Sequence, residues 1–399
     1  MPANEDLIEL LCDLIALPSV NPEQDAERTE LPHGEARVAD YVQRYFQPLN
    51  VRIERQQALP GRDNVLVHVP GADRSARPVL LEAHMDTVDV QGMDDPFTPR
   101  VEGGRVHGRG ACDNKASLAA MMVALRGLLE EGVSLPRGCV LAATADEEFG
   151  MTGARLLVES GMAFASAIVG EPTALKIVAA HDGQMYVRIT AHGKAAHTSS
   201  PQHGVNAIYA MNEAINVLRR RADSVYPQRQ HPLCGSPKLT VSIIHGGISE
   251  HIVPDFCEIA IDCRVIPGET CQQALEEIKG WLAEDLDAVV VKGIGFAVPH
   301  KTVPPMETPT DHPLIEGLRQ AAAHVMGDAQ VAGVAYNTDA SHYAAAGIPC
   351  VVFGPGDIAQ AHSVTEFVEI EQVVAAVEIL KRFLVEGTAS LDERGVPQC

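Results

Sequence analysis

Val79-Leu80-Leu81-Glu82-Ala83-His84-Met85-Asp86 is a short, nearly all-apolar run that ends on a histidine and an aspartate. Such a run suits a strand buried on both faces, which is the habit of a parallel sheet. Outward from it the same pattern repeats. Val65–Val69, Val140–Ala145 and Ala167–Val169 read as further strands, and Lys115–Leu129 and Ala154–Glu159 read as helices between them. Strands alternating with helices predict an α/β layer on a mostly parallel sheet, with helices sandwiching it.

Past residue 180 the pattern changes. Met185–Thr190, Leu239–Ile244 and Cys257–Arg264 read as strands, the last alternating as Cys-Glu-Ile-Ala-Ile-Asp-Cys-Arg. Val205–Arg219 reads as a helix with Val205, Ile208, Ile215 and Leu218 on one side, and Thr270–Leu286 as a second helix. With Ala288–Lys292 as a final strand, the order is β-α-β-β-α-β, that of a ferredoxin-like α+β module. The Pro-rich stretch 299–309 reads as a linker back. A helix at Leu314–Met326, a strand at Pro349–Phe353 and a helix at Ile370–Leu384 then resume the first pattern. The expected organisation is a discontinuous domain, residues 1–180 and 299–399, with residues 181–298 inserted as a second domain.

The chain's 399 residues suit about two domains. Acidic residues outnumber basic ones, 53 to 31, for a net charge of −22. Such a field repels phosphate backbones and anionic lipid, which argues against nucleic-acid and membrane partners. Nine cysteines lie scattered with no Cys-x-x-Cys pair, the pattern of free thiols in a reducing compartment. The opening MPANEDLIELLCDLIALPSV reads as an amphipathic helix rather than a signal peptide, and no apolar run reaches the length of a membrane span. A cytoplasmic location is expected.

Acids and histidines fall just after the strands. In an open parallel sheet those loops gather at one edge, where ligand sites form. His84 and Asp86 end the first run. Two residues apart, they point to one side, so Asp86 is placed to bond the ring nitrogen of His84 that does not face a ligand. Asp113 lies in the loop Gly108-Arg109-Gly110-Ala111-Cys112-Asp113-Asn114-Lys115, where it reads either as a helix cap or as a carboxylate shared by two metals. Asp146-Glu147-Glu148 follows another strand, Glu171 a third, and His362 lies in the loop Phe353–His362. Two nitrogens and several carboxylates suit zinc, cobalt or manganese, with no need of thiolate.

In this order the motifs HMDTV, GRGACDNK, DEEFG, GEP, AHGKAAHTSSP, DCRVIPG and the closing AH resemble those of the dinuclear zinc acylases and peptidases. That family includes acetylornithine deacetylase, succinyl-diaminopimelate desuccinylase, aminoacylase and folate-type glutamate carboxypeptidase. The resemblance covers nearly the whole chain. It implies two divalent ions, one held by His84 and Glu171 and the other by Glu148 and His362, with Asp113 bridging. It implies Glu147 as general base, Asp86 as the residue orienting His84, and His197 as a donor to the oxyanion, supplied by a partner subunit. Arg264 resembles the residue that grips the substrate's carboxylate, although a structural salt bridge is the alternative. Asn337 and Thr338 are expected to line the pocket or to form an ordinary turn. The inserted domain resembles a lid through which two copies form a homodimer.

The expected reaction is hydrolysis of the amide of an N-acyl amino acid, a small molecule with a free carboxylate. Release of a C-terminal amino acid from a peptide is the alternative within the same chemistry. Only 4% aromatic residues and a single tryptophan, Trp281, favour a small acyl group. A metal-binding scaffold without catalysis is disfavoured, since it has no use for Glu147 and Asp86.

Overall fold

A computed structural model describes residues 2–24, 33–90, 92–389 and 391. The tail residues Asp392, Glu393, Arg394 and Cys399, expected to fray, lie outside them. The chain divides into two compact units. One comprises residues 1–179, 308–332 and 338–399, and the other residues 180–307 and 333–337.

The first unit is a mixed α/β structure. Its sheet runs in the order Arg52–Leu59, Arg62–Val69, Cys139–Thr144, Val79–His84, Ser166–Val169, Cys350–Val352 and then Ile177–His181, whose last two residues already belong to the second unit. The four central strands are mutually parallel, with His84 beside Thr144 and Val351 beside Ile168. The flanking pairings are antiparallel. Every residue of Val79–His84, Cys139–Thr144 and Ser166–Val169 is buried, as expected of parallel strands covered on both faces. The Lys115–Glu130 helix packs on Val79–His84 and Cys139–Thr144, and Ala340–Ala345 packs on Ser166–Val169 and Cys350–Val352. In the N-terminal helix Pro2–Ile15, Leu7, Leu10, Leu11 and Leu14 are buried on one helical stripe.

The second unit holds an antiparallel sheet in the order Lys238–Gly246, Phe256–Val265, Gly183–His192 and Ile294–Phe296, with Lys301–Val303 also on Gly183–His192. Alternate residues Cys257, Ile259, Ile261 and Cys263 and facing Met185, Val187 and Ile189 form a core with Met211, Leu218, Ile278 and Trp281 of two helices, Ala207–Val225 and Cys271–Asp285. The second helix opens on a capping box between Thr270 and Gln273.

Three local expectations are corrected. Ala288–Lys292 is not a strand. Residues Ala288–Val291 form one helical turn because the Asp287 carboxylate accepts the Val289 N–H, and the strand follows at Ile294–Phe296. Val205 lies outside its helix, since the Asn206 side chain accepts the N–H groups of Ile208 and Tyr209 and sets the start at Ala207. The 299–309 stretch is more than a linker. It carries the strands Lys301–Val303 and Met306–Glu307, the first paired with Gln184–Tyr186. Among the described residues, no helix is long and apolar enough to cross a membrane.

Candidate metal centre

Parallel strands end at one edge of their sheet, so the segments after Cys139–Thr144, Val79–His84, Ser166–Val169 and Cys350–Val352 emerge together. His84 ends its strand, Glu147 and Glu148 follow the next by three and four residues, and Glu171 follows a third by two. Asp113 lies at the end of the loop preceding Lys115–Glu130. His362 sits ten residues beyond Cys350–Val352, with its backbone in the left-handed region at φ 60°.

The central relation is at Asp113. One carboxylate oxygen, Oδ1, lies 3.1 Å from His84 Nε2, and the other, Oδ2, lies 3.5 Å from His362 Nε2. Glu171 Oε1 is 3.6 Å from His84 Nε2, and Glu148 Oε2 is 3.2 Å from His362 Nε2. One carboxylate thus faces two imidazoles, each with a second carboxylate beside it. Donor atoms of His84, Asp113 and Glu148 all lie within 4.8 Å of one another, as do those of His84, Glu147 and Glu171. The Glu148 Oε1 atom is buried without a hydrogen-bond partner. Two nitrogens, three carboxylates and a buried unsatisfied oxygen fit a pair of divalent cations sharing Asp113.

The charge balance agrees with that fit. Burial, reinforced by neighbouring carboxylates, pushes the Glu147 and Glu171 carboxyls well above the usual range, and Glu148 in the same direction. Burial acts upward on Asp113 too, but hydrogen bonds from His362 and His84 outweigh it and hold that carboxyl low. Hydrogen bonds to Asp113 and Glu148 raise the His362 imidazole to about 10. The cluster carries more negative charge than its buried position tolerates and gathers positive charge around Asp113.

Asp86 meets the His84 ring through two oxygens. His84 Nδ1 lies 3.0 Å from the Asp86 backbone oxygen and 3.5 Å from its carboxylate Oδ1. The carboxylate has further partners. It accepts the N–H groups of Glu147 and Glu148, both at 3.1 Å, and the Asn21 side-chain amide at 2.7 Å. Asp86 thus contacts His84 through both its carbonyl and its carboxylate, and the carboxylate also holds the backbone of the two glutamates. Asn21 also donates to Asp146 at 3.0 Å. Asp146, at φ 73°, is held as well by Thr152 Oγ1 and Arg62 Nη1. Asn21, Glu35, Arg62 and Glu366 all bear on this edge of the sheet without a local sequence signal.

The remaining candidates are placed as follows. In the first unit, Thr338 is buried and its Oγ1 accepts the Ala340 N–H at 3.2 Å. In the second unit, His197 lies exposed on the two-residue strand Ala196–His197, with Nδ1 2.8 Å from Ser199 Oγ. Arg264, on Phe256–Val265, already holds a carboxylate with two prongs. Its Nε and Nη2 each lie 3.0 Å from an oxygen of Asp262, and Nη1 donates to the Ala335 carbonyl. Asn337 is half-buried at the end of the 333–337 segment.

Residues 80–386 match the family model described as Peptidase family M20/M25/M40. The chain belongs to that family. It is accordingly a metallohydrolase acting on peptide or amide bonds. Solved structures share the fold at low identity. The aminopeptidase PepT from Bacillus cereus is 20% identical with a TM-score of 0.78, over 96% of this chain and 99% of that one. The M20 family metallo-carboxypeptidase Sso-CP2 from Sulfolobus solfataricus is 19% identical with a TM-score of 0.75, over 95% and 98%. The YXEP protein of Bacillus subtilis, described as a dinuclear metal binding peptidase, is 17% identical with a TM-score of 0.71, over 96% and 98%.

Proposed function

We propose that this M20-family protein hydrolyses the amide bond of N-acyl amino acids, using two divalent metal ions, zinc in the first instance. The observation that carries the reading is the Asp113 carboxylate, with one oxygen toward His84 and the other toward His362. In this reading His84, Asp113 and Glu171 would hold one ion, and Asp113, Glu148 and His362 the other. A pair of ions bound there would lower the pKa of water and polarise the scissile carbonyl.

The protein's own groups do the rest. Glu147 takes the proton of the attacking water. It then returns that proton to the departing amine. Asp86 holds the backbone of Glu147 through its Oδ1 and keeps the His84 ring in place through its carbonyl. His197 is proposed as the donor to the oxyanion and Arg264 as the grip on the substrate's carboxylate, for which it must exchange Asp262 for substrate. Asn337 and Thr338 are proposed as pocket residues. The roles of His197 and Arg264 rest on the motifs AHGKAAHTSSP and DCRVIPG that carry them.

A peptidase reading is the second. It is favoured by the company of similar folds, an aminopeptidase and a metallo-carboxypeptidase among them. A panel of N-acetyl, N-succinyl and N-formyl amino acids beside dipeptides, assayed on chelated and metal-reloaded protein, separates the two. Metal-restored turnover of acyl amino acids supports deacylation. Turnover of dipeptides alone moves the assignment to the peptidase branch.

A homodimer is also proposed, through the second unit. Lys238–Gly246 is an edge strand there and exposes Ile243 and Ile244. Sedimentation of the intact chain tests it, and an active monomer would rule out a His197 that serves a partner.

A further inference from the structure

The loop Gly108–Asn114 carries Asp113 but contains neither strand nor helix. Something else must fix it, and the structure assigns that task to one carboxylate. Glu366, fully buried, accepts four hydrogen bonds from this loop. Its Oε1 receives the N–H groups of Cys112 at 2.8 Å and Asp113 at 3.0 Å. Its Oε2 receives the Gly110 N–H at 3.0 Å and Arg109 Nη1 at 2.6 Å. The Glu366 backbone oxygen also accepts the Gly108 N–H at 3.2 Å.

Arg109, equally buried, extends the clamp to the second loop of the site. Its Nη1 donates to the carbonyl of Ser363, at 3.2 Å, and its Nε to that of Asp89, at 2.9 Å. Ser363 is the residue after His362. The pair therefore joins the segment ending at Asp113 to the segment holding His362, which face each other at 3.5 Å.

The two halves of the proposed centre differ in what holds them. His84 ends a central strand and Glu171 follows one by two residues, so the register of the sheet places both. His362 has no such support. It lies ten residues beyond its strand, in a left-handed backbone conformation, with half of its side chain exposed. Its position against Asp113 depends on the Glu366–Arg109 clamp.

We propose that Glu366 and Arg109 are positioning residues that hold the Asp113 loop against the His362 segment, and that they bear more on the ion shared by Asp113, Glu148 and His362 than on the ion that Asp113 shares with His84 and Glu171. The proposal rests on the ligand assignment given above. Glu366→Gln keeps the shape of the side chain but turns an amide toward the N–H donors of Arg109 and Gly110. The double variant Arg109→Met/Glu366→Gln removes the charge that the single change would leave buried alone, which guards the fold.

The experiment is a stepwise calorimetric titration of chelator-stripped, full-length chain with zinc, repeated with cobalt to read the visible absorption of each step, alongside a thermal melt. Wild type is expected to take up two ions per chain. In both variants the first step stays within about threefold of wild type, while the second weakens by about 10–100-fold, the range typical of lost support to a metal ligand. Equal weakening of both steps, or two wild-type steps in the double variant, would overturn the proposal. A wild-type chain that takes up fewer than two ions would overturn the ligand assignment itself, and the positioning role with it.

Discussion

Asn21 donates its side-chain amide to Asp86 at 2.7 Å, joining the end of the N-terminal segment to the carboxylate that fixes Glu147 and Glu148. Both residues are fully buried. Replacing Asn21 with Ala removes one side-chain donor from the Asp86 carboxylate and frees Asp146 from one of its restraints. Turnover by the metal-loaded protein is expected to fall about 10–100-fold, the usual cost of a lost partner behind a ligand. Steady-state kinetics at saturating metal measures it, and an unchanged kcat would remove Asn21 from the centre's support.

Glu147 and Glu148 are adjacent in sequence but carry different assignments. Glu147→Gln is expected to lower kcat by about 10²–10⁴-fold, as for loss of a general base, with two ions still bound. Glu148→Gln is expected to lose metal first. Metal analysis beside kinetics distinguishes the two, and normal turnover by the Glu147→Gln variant would disprove the assigned base.

Arg62 and Glu35 form a buried pair behind the same edge, with Nε–Oε2 at 2.7 Å and Nη2–Oε1 at 2.5 Å. The Glu35 Oε1 atom also accepts the Asp146 N–H. Arg62→Met leaves the buried Glu35 carboxylate without its cation and is expected to cost about 3–5 kcal/mol. The double change Glu35→Gln/Arg62→Met should recover much of that loss. Urea unfolding of the metal-stripped chain reads both, and equal stability of the two variants would contradict the pairing.

His181 supplies a pH dependence away from the centre. It is fully buried, and burial lowers its imidazole to about 4 from an ordinary 6.5. Unfolded chain then binds the extra proton between those values, so stability is complete above pH 6.5 and declines as pH falls toward 4. The loss is on the order of 3 kcal/mol for such a shift. Denaturation midpoints at pH 7, 5.5 and 4.5 should show it, and His181→Gln should flatten the acid limb. A variant with the same slope as wild type would place the effect on other groups.

The proposed ligands and base are legible in the sequence for a physical reason. A parallel strand buried on both faces is an unbroken apolar run, and an acid or histidine directly after it has no packing role to explain it. That is the situation of His84, Glu147, Glu148 and Glu171. Asn21 and Glu366 are single polar residues whose partners lie 65 and 253 residues away, so no local pattern marks them. Arg52–Leu59 is an antiparallel strand at the edge of its sheet with no fully buried residue, and it lacks the apolar signature altogether. Ala288–Lys292 misleads in the opposite direction. Three consecutive valines have strand propensity, but the Asp287 cap decides the turn.

The sheet order constrains how the molecule is made. Cys350–Val352 lies between Ser166–Val169 and Ile177–His181, although more than 150 residues are synthesised between them. At about 5–20 residues per second, the early strands leave the ribosome well before the strand that fills the gap between them. Closing so long a loop is slow, and an unfilled gap exposes two strand edges in the meantime. Until that late strand appears, the nascent chain carries open strand edges of the kind that pair with neighbouring chains. A product stopped before residue 350 would lack His362 and Glu366 together with a central strand, so premature termination leaves an adhesive fragment rather than a weakly active enzyme.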